Sequence, residues 1–220
     1  MKKGDFMEHE KKKVSITKEE IEMLLLKYNS ALKTLENHLN ILINDFEFKN
    51  RYMPVEHVKS RIKKFDSAIA KLSRKNYDIT VENIEAHVHD MVGVRIVCSF
   101  LDDVYKIREL VKNSDFITVY EEKDYIKNPK ETGYSSYHLL VYVPVYLSDG
   151  VELVKAEIQI RTMAMDFWAS LDHKIQYKFE EKIPEDVIEE MHKCSVDINN
   201  LDSKMLSLNE TVQSYLSDEE

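Results

Sequence analysis

Two carboxylates and a run of cations are the residues of this 220-residue chain most able to do chemistry. Glu157 sits in the segment 152–161, where Val154, Ala156, Ile158 and Ile160 alternate with Lys155, Glu157, Gln159 and Arg161. A strand of that period puts the first set on one face and the second on the other. Either the polar face meets solvent or it carries a ligand; alternation alone does not choose. The neighbouring segment repeats the pattern, with Tyr137, Leu139, Val141, Val143 and Val145 on one side and His138, Leu140 and Tyr142 on the other. In 92–100, Val92, Val94, Ile96, Cys98 and Phe100 alternate with Gly93, Arg95, Val97 and Ser99. Arg95, His138, Glu157 and Gln159 can therefore line one polar side of a sheet. Asp90, the second carboxylate, has the parity of the apolar face and joins the polar one only if the backbone turns before the strand. Lys59, Arg61 and Lys63, followed by Lys71 and Arg74, supply the cations. Read alone they are a solvated surface; beside a carboxylate pair they are a candidate polyphosphate clamp.

The glycines sharpen this. Gly4, Gly93, Gly133 and Gly150 are all there are, and none is near another, so neither a P-loop nor a Gly-x-Gly-x-x-Gly turn can form. A nucleotide would have to be held by side chains. The net charge of −9 weighs against a broad nucleic-acid surface while leaving room for a local basic groove. Hydrophobic residues at 43% and charged residues at 32% suit a soluble cytosolic protein and exclude a disordered chain. No apolar run approaches the ~20 residues that span a bilayer, and the first residues lead into charges rather than a secretory signal. Two cysteines, Cys98 and Cys194, rule out a disulfide scaffold or a four-cysteine zinc site.

The elements that must position these residues read as an α+β fold. Residues 1–14, with Lys11–Lys13, form a charged, mobile lead-in. A capping box at Thr17 and Glu20 opens a long helix to about Asn50, with Ile21, Leu24, Leu25, Tyr28, Leu32, Leu35, Leu39, Leu42 and Phe46 as its stripe. After Pro54 come a short strand or turn over 58–62, a basic helix over 65–76 and a short helix over 81–88. Strand 92–100, a helix over 103–113 and a strand over 116–123 follow. Strands 137–147 and 152–161 flank Ser148-Asp149-Gly150 as an antiparallel hairpin. The remainder is helical, divided at Pro184, and Trp168, Phe167 and Leu171 are expected in the core. Beyond Pro184, Val187, Met191, Cys194, Ile198, Leu201, Met205, Leu208, Val212 and Tyr215 recur at a 3.5-residue period. Asn199 and Asn200 beside that stripe are a place for a kink.

Six segments in order resemble the synthetase domain of RelA/SpoT-type alarmone synthetases: Val58–Lys63, Asp90–Val97, Tyr125–Lys130, Gly133-Tyr134-x-Ser136-x-His138, Glu157–Thr162, and Met165–Ala169 with His173-Lys174. They cover roughly residues 55–180, and the flanking helices suit the single-domain, RelQ-like small synthetases. The resemblance implies a nucleotidyltransferase-like mixed sheet flanked by helices, with residues 15–180 as the synthetase domain and 181–220 as a helical oligomerisation segment. It implies transfer of the β,γ-pyrophosphoryl group of ATP to the 3′-hydroxyl of GDP or GTP, giving (p)ppGpp and AMP, in the stringent response. Arg61 and Arg95 would sandwich the adenine, and Lys63, Ser67, Lys71 and Arg74 would hold the ATP phosphates. Asp90 would bind Mg²⁺, and Glu157 would share the metal or activate the 3′-hydroxyl. Tyr134 would stack on guanine, with Lys130 and His138 on the acceptor's phosphates and sugar and Gln159 assisting. A homotetramer assembled through the terminal helices is implied, with a regulatory nucleotide or single-stranded RNA as further partners and no membrane.

His57 and Lys59 depart from the resemblance, which calls for an aromatic and a small hydroxyl residue in an inter-subunit cleft, so activation by pppGpp does not carry over. The His89-Asp90 pair suggests a metal hydrolase, but without the helical hydrolase domain of long relatives the chain is expected to synthesise and not degrade. The alternatives are a tRNA 3′-end pyrophosphokinase toxin and a non-catalytic nucleotide- or RNA-binding regulator. The first is disfavoured by the acidic charge, the second by the paired carboxylates.

Overall fold

The computed structural model describes residues 15–176 and 183–217. The lead-in 1–14 lies outside the described residues, as do 177–182 and 218–220. The sheet is built from β1 (Val55–Ile62), β2 (Val92–Cys98), β3 (Thr118–Asp124), β4 (Tyr137–Leu147) and β5 (Gly150–Thr162). Its strand order is β1-β2-β5-β4-β3. β2 runs parallel to β5, and the other neighbours pair antiparallel. The parallel pair is reached by a long excursion through α4 (Leu101–Lys112), β3 and β4.

The apolar parity of β2, β4 and β5 makes one face of the sheet, and Val94, Ile96, Leu139, Val141, Ala156 and Ile158 on it are buried. α1 (Lys18–Asn50) and α4 cover that face. α1 begins at the Thr17–Glu20 capping box and ends at Arg51 in the left-handed conformation. Its buried stripe runs through Leu24, Tyr28, Ala31, Leu35, Leu39 and Ile43. Of the expected stripe Leu24, Tyr28, Leu35 and Leu39 are buried and Leu32 packs partly against the core, whereas Ile21, Leu42 and Phe46 are half-exposed and Leu25 exposed; Ala31 and Ile43 complete the buried side. α4 starts at Leu101 with Phe100 as its cap residue, which ends the preceding strand at Cys98 rather than 100.

The opposite face stays open above β2 and β5. α2 (Phe65–Arg74) and α3 (Val81–His87) flank one end. α5 (Met163–Gln176) follows β5 directly, its first turn capped by Thr162 Oγ1, which accepts from Met165 N–H at 3.2 Å. The same hydroxyl donates to buried Asp202 at 2.7 Å and so ties α6 (Glu185–Ser217) to the end of β5. Asp202, buried on the helix, has its carboxyl pushed up by desolvation despite that bond. α6 runs as one helix through Asn199 and Asn200. Trp168 is buried, but Phe167 and Leu171 are not core: they are 59% and 42% exposed. They sit on the side of α5 turned toward α6, where the two helices leave an apolar groove between them.

Candidate active site

Strand register assembles the polar face. Arg95 pairs with Gln159, and Gln159 with His138, so the three lie in one row across β2, β5 and β4. Lys59 extends that row on β1. One step along, Arg61, Gly93, Glu157 and Leu140 form the next row. Gly93 carries no side chain between Arg61 and Glu157, leaving a hollow of about 240 Å³ lined by Arg61, Asp90, Arg95, Glu157 and Gln159. It opens into a cleft of about 1100 Å³ bounded by the loop 125–134 and by α5.

Asp90 reaches this side because it stands in the turn before β2, where strand parity does not apply. Its carboxylate accepts from Lys63 Nζ at 2.7 Å and from Lys71 Nζ at 2.8 Å. Burial works to raise its pKa, but the two lysines outweigh it and hold the carboxyl at about 2. His89 is engaged elsewhere, its Nδ1 lying 3.1 Å from the Tyr120 hydroxyl, so the His89-Asp90 dipeptide does not act as a pair.

Glu157 is the centre of a second cluster. Half-buried in the cleft wall, it accepts from His138 Nδ1 at 2.9 Å and from Gln159 Nε2 at 2.8 Å. Desolvation pushes its pKa up, and the bonds to His138 and Gln159 bring it below the ordinary carboxylate range. His138 Nε2 lies 2.9 Å from the Tyr134 hydroxyl. Lys130 reaches from the loop, its Nζ 4.7 Å from the centroid of the Tyr134 ring and 4.9 Å from that of Tyr125. That is cation–π range, leaving a cation and an aromatic at the rim for an anionic, planar ligand.

Arg61, Asp90, Arg95, Lys130, Tyr134, His138, Glu157 and Gln159 thus line one cleft. Lys63 and Lys71 attach to it through Asp90. Ser67 and Arg74, one turn either side of Lys71 on α2, are exposed and do not line it. Two side chains given no role by sequence reasoning are drawn in. Arg161 is 1% exposed, donates to the Tyr134 hydroxyl at 2.9 Å and hydrogen-bonds Gln159. Asp166, on the first turn of α5, has Oδ1 3.1 Å from an Arg95 nitrogen and 3.5 Å from an Arg161 nitrogen. The period of β5 put Arg161 on the polar face, but its depth depends on α5 folding back over the strand end.

The family model for the region found in RelA / SpoT proteins matches residues 60–182, which spans this cleft. The chain is 43% identical over 188 residues to the GTP pyrophosphokinase YwaC of Bacillus subtilis, covering 86% of this chain and 90% of that protein. To the GTP pyrophosphokinase YjbM of the same organism it is 36% identical over 192 residues, covering 87% and 90%. The crystal structure of small alarmone synthetase 1 from Bacillus subtilis bound to its product pppGpp aligns with a TM-score of 0.81 at 35% identity, over 89% of this chain and 99% of that one. Small alarmone synthetase 2 from the same organism aligns at 0.78 with 42% identity, over 87% and 98%. A family match over more than half of the chain, relatives similar along most of their length, and a shared mixed sheet make this chain a member of the RelA/SpoT family, on its small alarmone synthetase side.

Proposed function

We propose that the chain is a GTP pyrophosphokinase that transfers the β,γ-pyrophosphoryl group of ATP to the 3′-hydroxyl of GDP or GTP, releasing AMP and making (p)ppGpp. The observation that carries this is one cleft with two ends. Arg61, Arg95 and the Asp90-bound lysines gather at one end, Lys130 and Tyr134 at the other, with Glu157 between. At about 1100 Å³ the cleft exceeds the ~300–1,000 Å³ usual for a single ligand, which is room for two nucleotides.

Such chemistry asks for positioning and charge neutralisation rather than covalent help. Arg61 and Arg95 present planar guanidinium groups for a purine. Lys63 and Lys71 can exchange the Asp90 carboxylate for phosphate oxygens, which form charge-assisted bonds of the same kind. Tyr134 offers a ring for guanine, His138 and Lys130 offer donors for sugar and phosphate, and Glu157 offers a carboxylate beside the attacking hydroxyl. Ser67 and Arg74 belong to this reading at the outer edge of α2, reaching the phosphate tail.

A divalent cation fits the donor set, and we assign it as Mg²⁺ held by Asp90 and Glu157. No cluster of three metal-ligating side chains is present among the described residues. Magnesium needs none, since it is usually held by one or two carboxylates together with substrate phosphates. The two carboxylates act on one another, Asp90 opposing the ionisation of Glu157, which a cation would relieve. Bound there, the ion supplies charge neutralisation on the transferred group.

Among the described residues no helix is long and apolar enough to cross a membrane; we place the enzyme in the cytoplasm, where its substrates are made. The exposed stripe on α6 supports a homotetramer. A regulatory nucleotide or single-stranded RNA remains part of the proposal as a further ligand. The test is incubation with ATP, Mg²⁺ and GMP, GDP or GTP in turn, followed by chromatographic separation. AMP released in step with a 3′-pyrophosphorylated guanosine nucleotide supports the reading; AMP without it, or no AMP, overturns it.

A further inference from the structure

Arg161 closes a ring of five hydrogen-bonded side chains beneath the cleft. It donates to the Tyr134 hydroxyl and to the Gln159 carbonyl oxygen. Gln159 donates to Glu157, Glu157 accepts from His138, and His138 meets Tyr134. Arg161 can only donate and the ionised Glu157 can only accept, so the two together set the bonds to Tyr134, Gln159 and His138 Nδ1. The phenol oxygen accepts from Arg161, and in a neutral His138 the Nε2 that faces the phenol is an acceptor. His138 then carries its proton on Nδ1 and donates it to Glu157. The Gln159 amide is likewise oriented, oxygen to Arg161 and nitrogen to Glu157. The Arg161 carbon also lies 5.4 Å from the Tyr134 ring centroid, against the ring as well as its hydroxyl.

This cation is an expensive one to bury. It is almost fully enclosed, desolvation lowers its pKa, and the carboxylate paired with it, Asp166, lies at 3.5 Å. Arg161 Nε and Arg95 Nε are buried without a hydrogen-bond partner among the described residues. A cation serving stability alone would be expected to make a closer, bidentate pair. Instead its aligned bonds go to the two neutral side chains that present donors and a ring to the cleft.

The geometry points to Arg161 as a positioning residue for the acceptor nucleotide, acting through Tyr134: from the floor of the cleft, almost fully enclosed, it sets the plane and hydroxyl direction of that ring. This rests on Tyr134 being an acceptor contact, as proposed above. ATP, held at the other end by Arg61, Arg95 and the lysines, meets Arg161 only through the longer contact of Asp166, which also touches Arg95, and should feel its loss far less.

The experiment is a double-substitution cycle read by calorimetry with Mg²⁺, titrating GDP and, separately, an ATP analogue with a methylene at the α,β bridge. R161K keeps the charge but not the planar guanidinium that sets Nη2 between Tyr134 and Gln159 and lies against the Tyr134 ring, and Y134F keeps the ring but not the hydroxyl. R161K should weaken GDP about tenfold, the scale of one hydrogen bond from a charged group, and leave the analogue within about twofold. The double variant should bind GDP no more weakly than R161K alone, because both changes cut the same link. Unchanged GDP affinity in R161K, equal losses for both ligands, or losses that multiply in the double variant would each overturn the assignment. R161Q is the second variant; if it and R161K both lose the cooperative melting transition of the parent, Arg161 is a structural cation and the inference fails. A parent that binds the analogue but not GDP sinks the acceptor reading itself and this inference with it. A parent that binds GDP while the variants do too sinks this inference alone.

Discussion

Asp90 and Glu157 are both half-buried carboxylates kept ionised by donors, yet by different partners, and this separates what their loss should do. Glu157→Gln removes a charge but retains the shape that accepts from His138. We expect a folded enzyme with synthesis reduced ~10²-fold or more, as for loss of a positioned base or metal contact. Near-parental turnover in a variant with unchanged melting temperature would refute that role. Asp90→Asn should remove Mg²⁺-dependent activity as well, and it carries a stability signature besides. The folded carboxyl, held at about 2 by Lys63 and Lys71, is depressed from an unfolded value near 3.9. Its contribution is therefore fully present above about pH 5 and lost as pH falls toward 2, amounting to about 2 kcal/mol. Urea midpoints of parent and D90N should converge as pH drops from 5 to 2, and a constant difference over that range would contradict the pairing. Tyr134→Ala should weaken the acceptor far more than ATP, by ~1–3 kcal/mol for a lost base–aromatic stack. Titration showing the loss on ATP instead would exchange the two ends of the cleft.

At the scale of elements, the loop 125–136 and the helices that brace it decide how well those residues are held. Gly133 has φ of +82°, and a Cβ there would lie 2.3 Å from the Ser195 side chain on α6. Ser195 Oγ donates to the Gly133 carbonyl at 2.8 Å, while Gly133 N–H donates to Lys130. Gly133→Ala therefore meets both a left-handed backbone and a clash. It should raise the acceptor KM with the ATP KM little changed, and lower the melting temperature; equal KM values in parent and variant would show the loop indifferent to its brace. This arrangement also marks where sequence legibility stops. Period-two alternation on β2, β4 and β5 placed Arg95, His138, Glu157 and Gln159 on one face, because parity is local and register follows from it. Asp90 escaped parity through a turn. Arg161 showed its side of β5 but not its partners Tyr134, from a loop distant in sequence, and Asp166, from the helix that folds back over the strand end. Phe167 and Leu171 looked like core because apolar type does not reveal which flank of α5 meets a neighbouring helix. β1 read as a fragment of its true length since His57, Lys59 and Arg61 break its apolar content on an edge strand.

For the whole molecule, α6 presents more apolar surface than its own fold covers. Met191, Ser195 and Asp202 face inward, whereas Leu201, Met205, Leu208, Val212 and Tyr215 are 46–69% exposed at a 3.5-residue spacing. A stripe of that period left in water is what a partner helix would bury. The groove between α5 and α6, lined by Phe167, Leu171, Val187, Met191 and Ile198, continues the same apolar surface to α5, which also bounds the cleft. Two of the inward residues, Ser195 and Asp202, are polar and form pins to Gly133 and Thr162. Intramolecular packing and assembly thus draw on different sides of one helix, so the outer side can change without unmaking the inner. We predict a homotetramer, with light scattering at micromolar concentration giving about four times 25.9 kDa. Leu201→Glu with Leu208→Glu should lower that mass while the melting transition survives, since neither residue is buried in the protomer. Deleting residues 186–220 should dissociate the assembly too, but would also remove Ser195 and Asp202 and loosen the acceptor loop. A monomer mass for the parent, or a tetramer untouched by the two glutamates, would place the assembly surface elsewhere and leave the stripe without a partner.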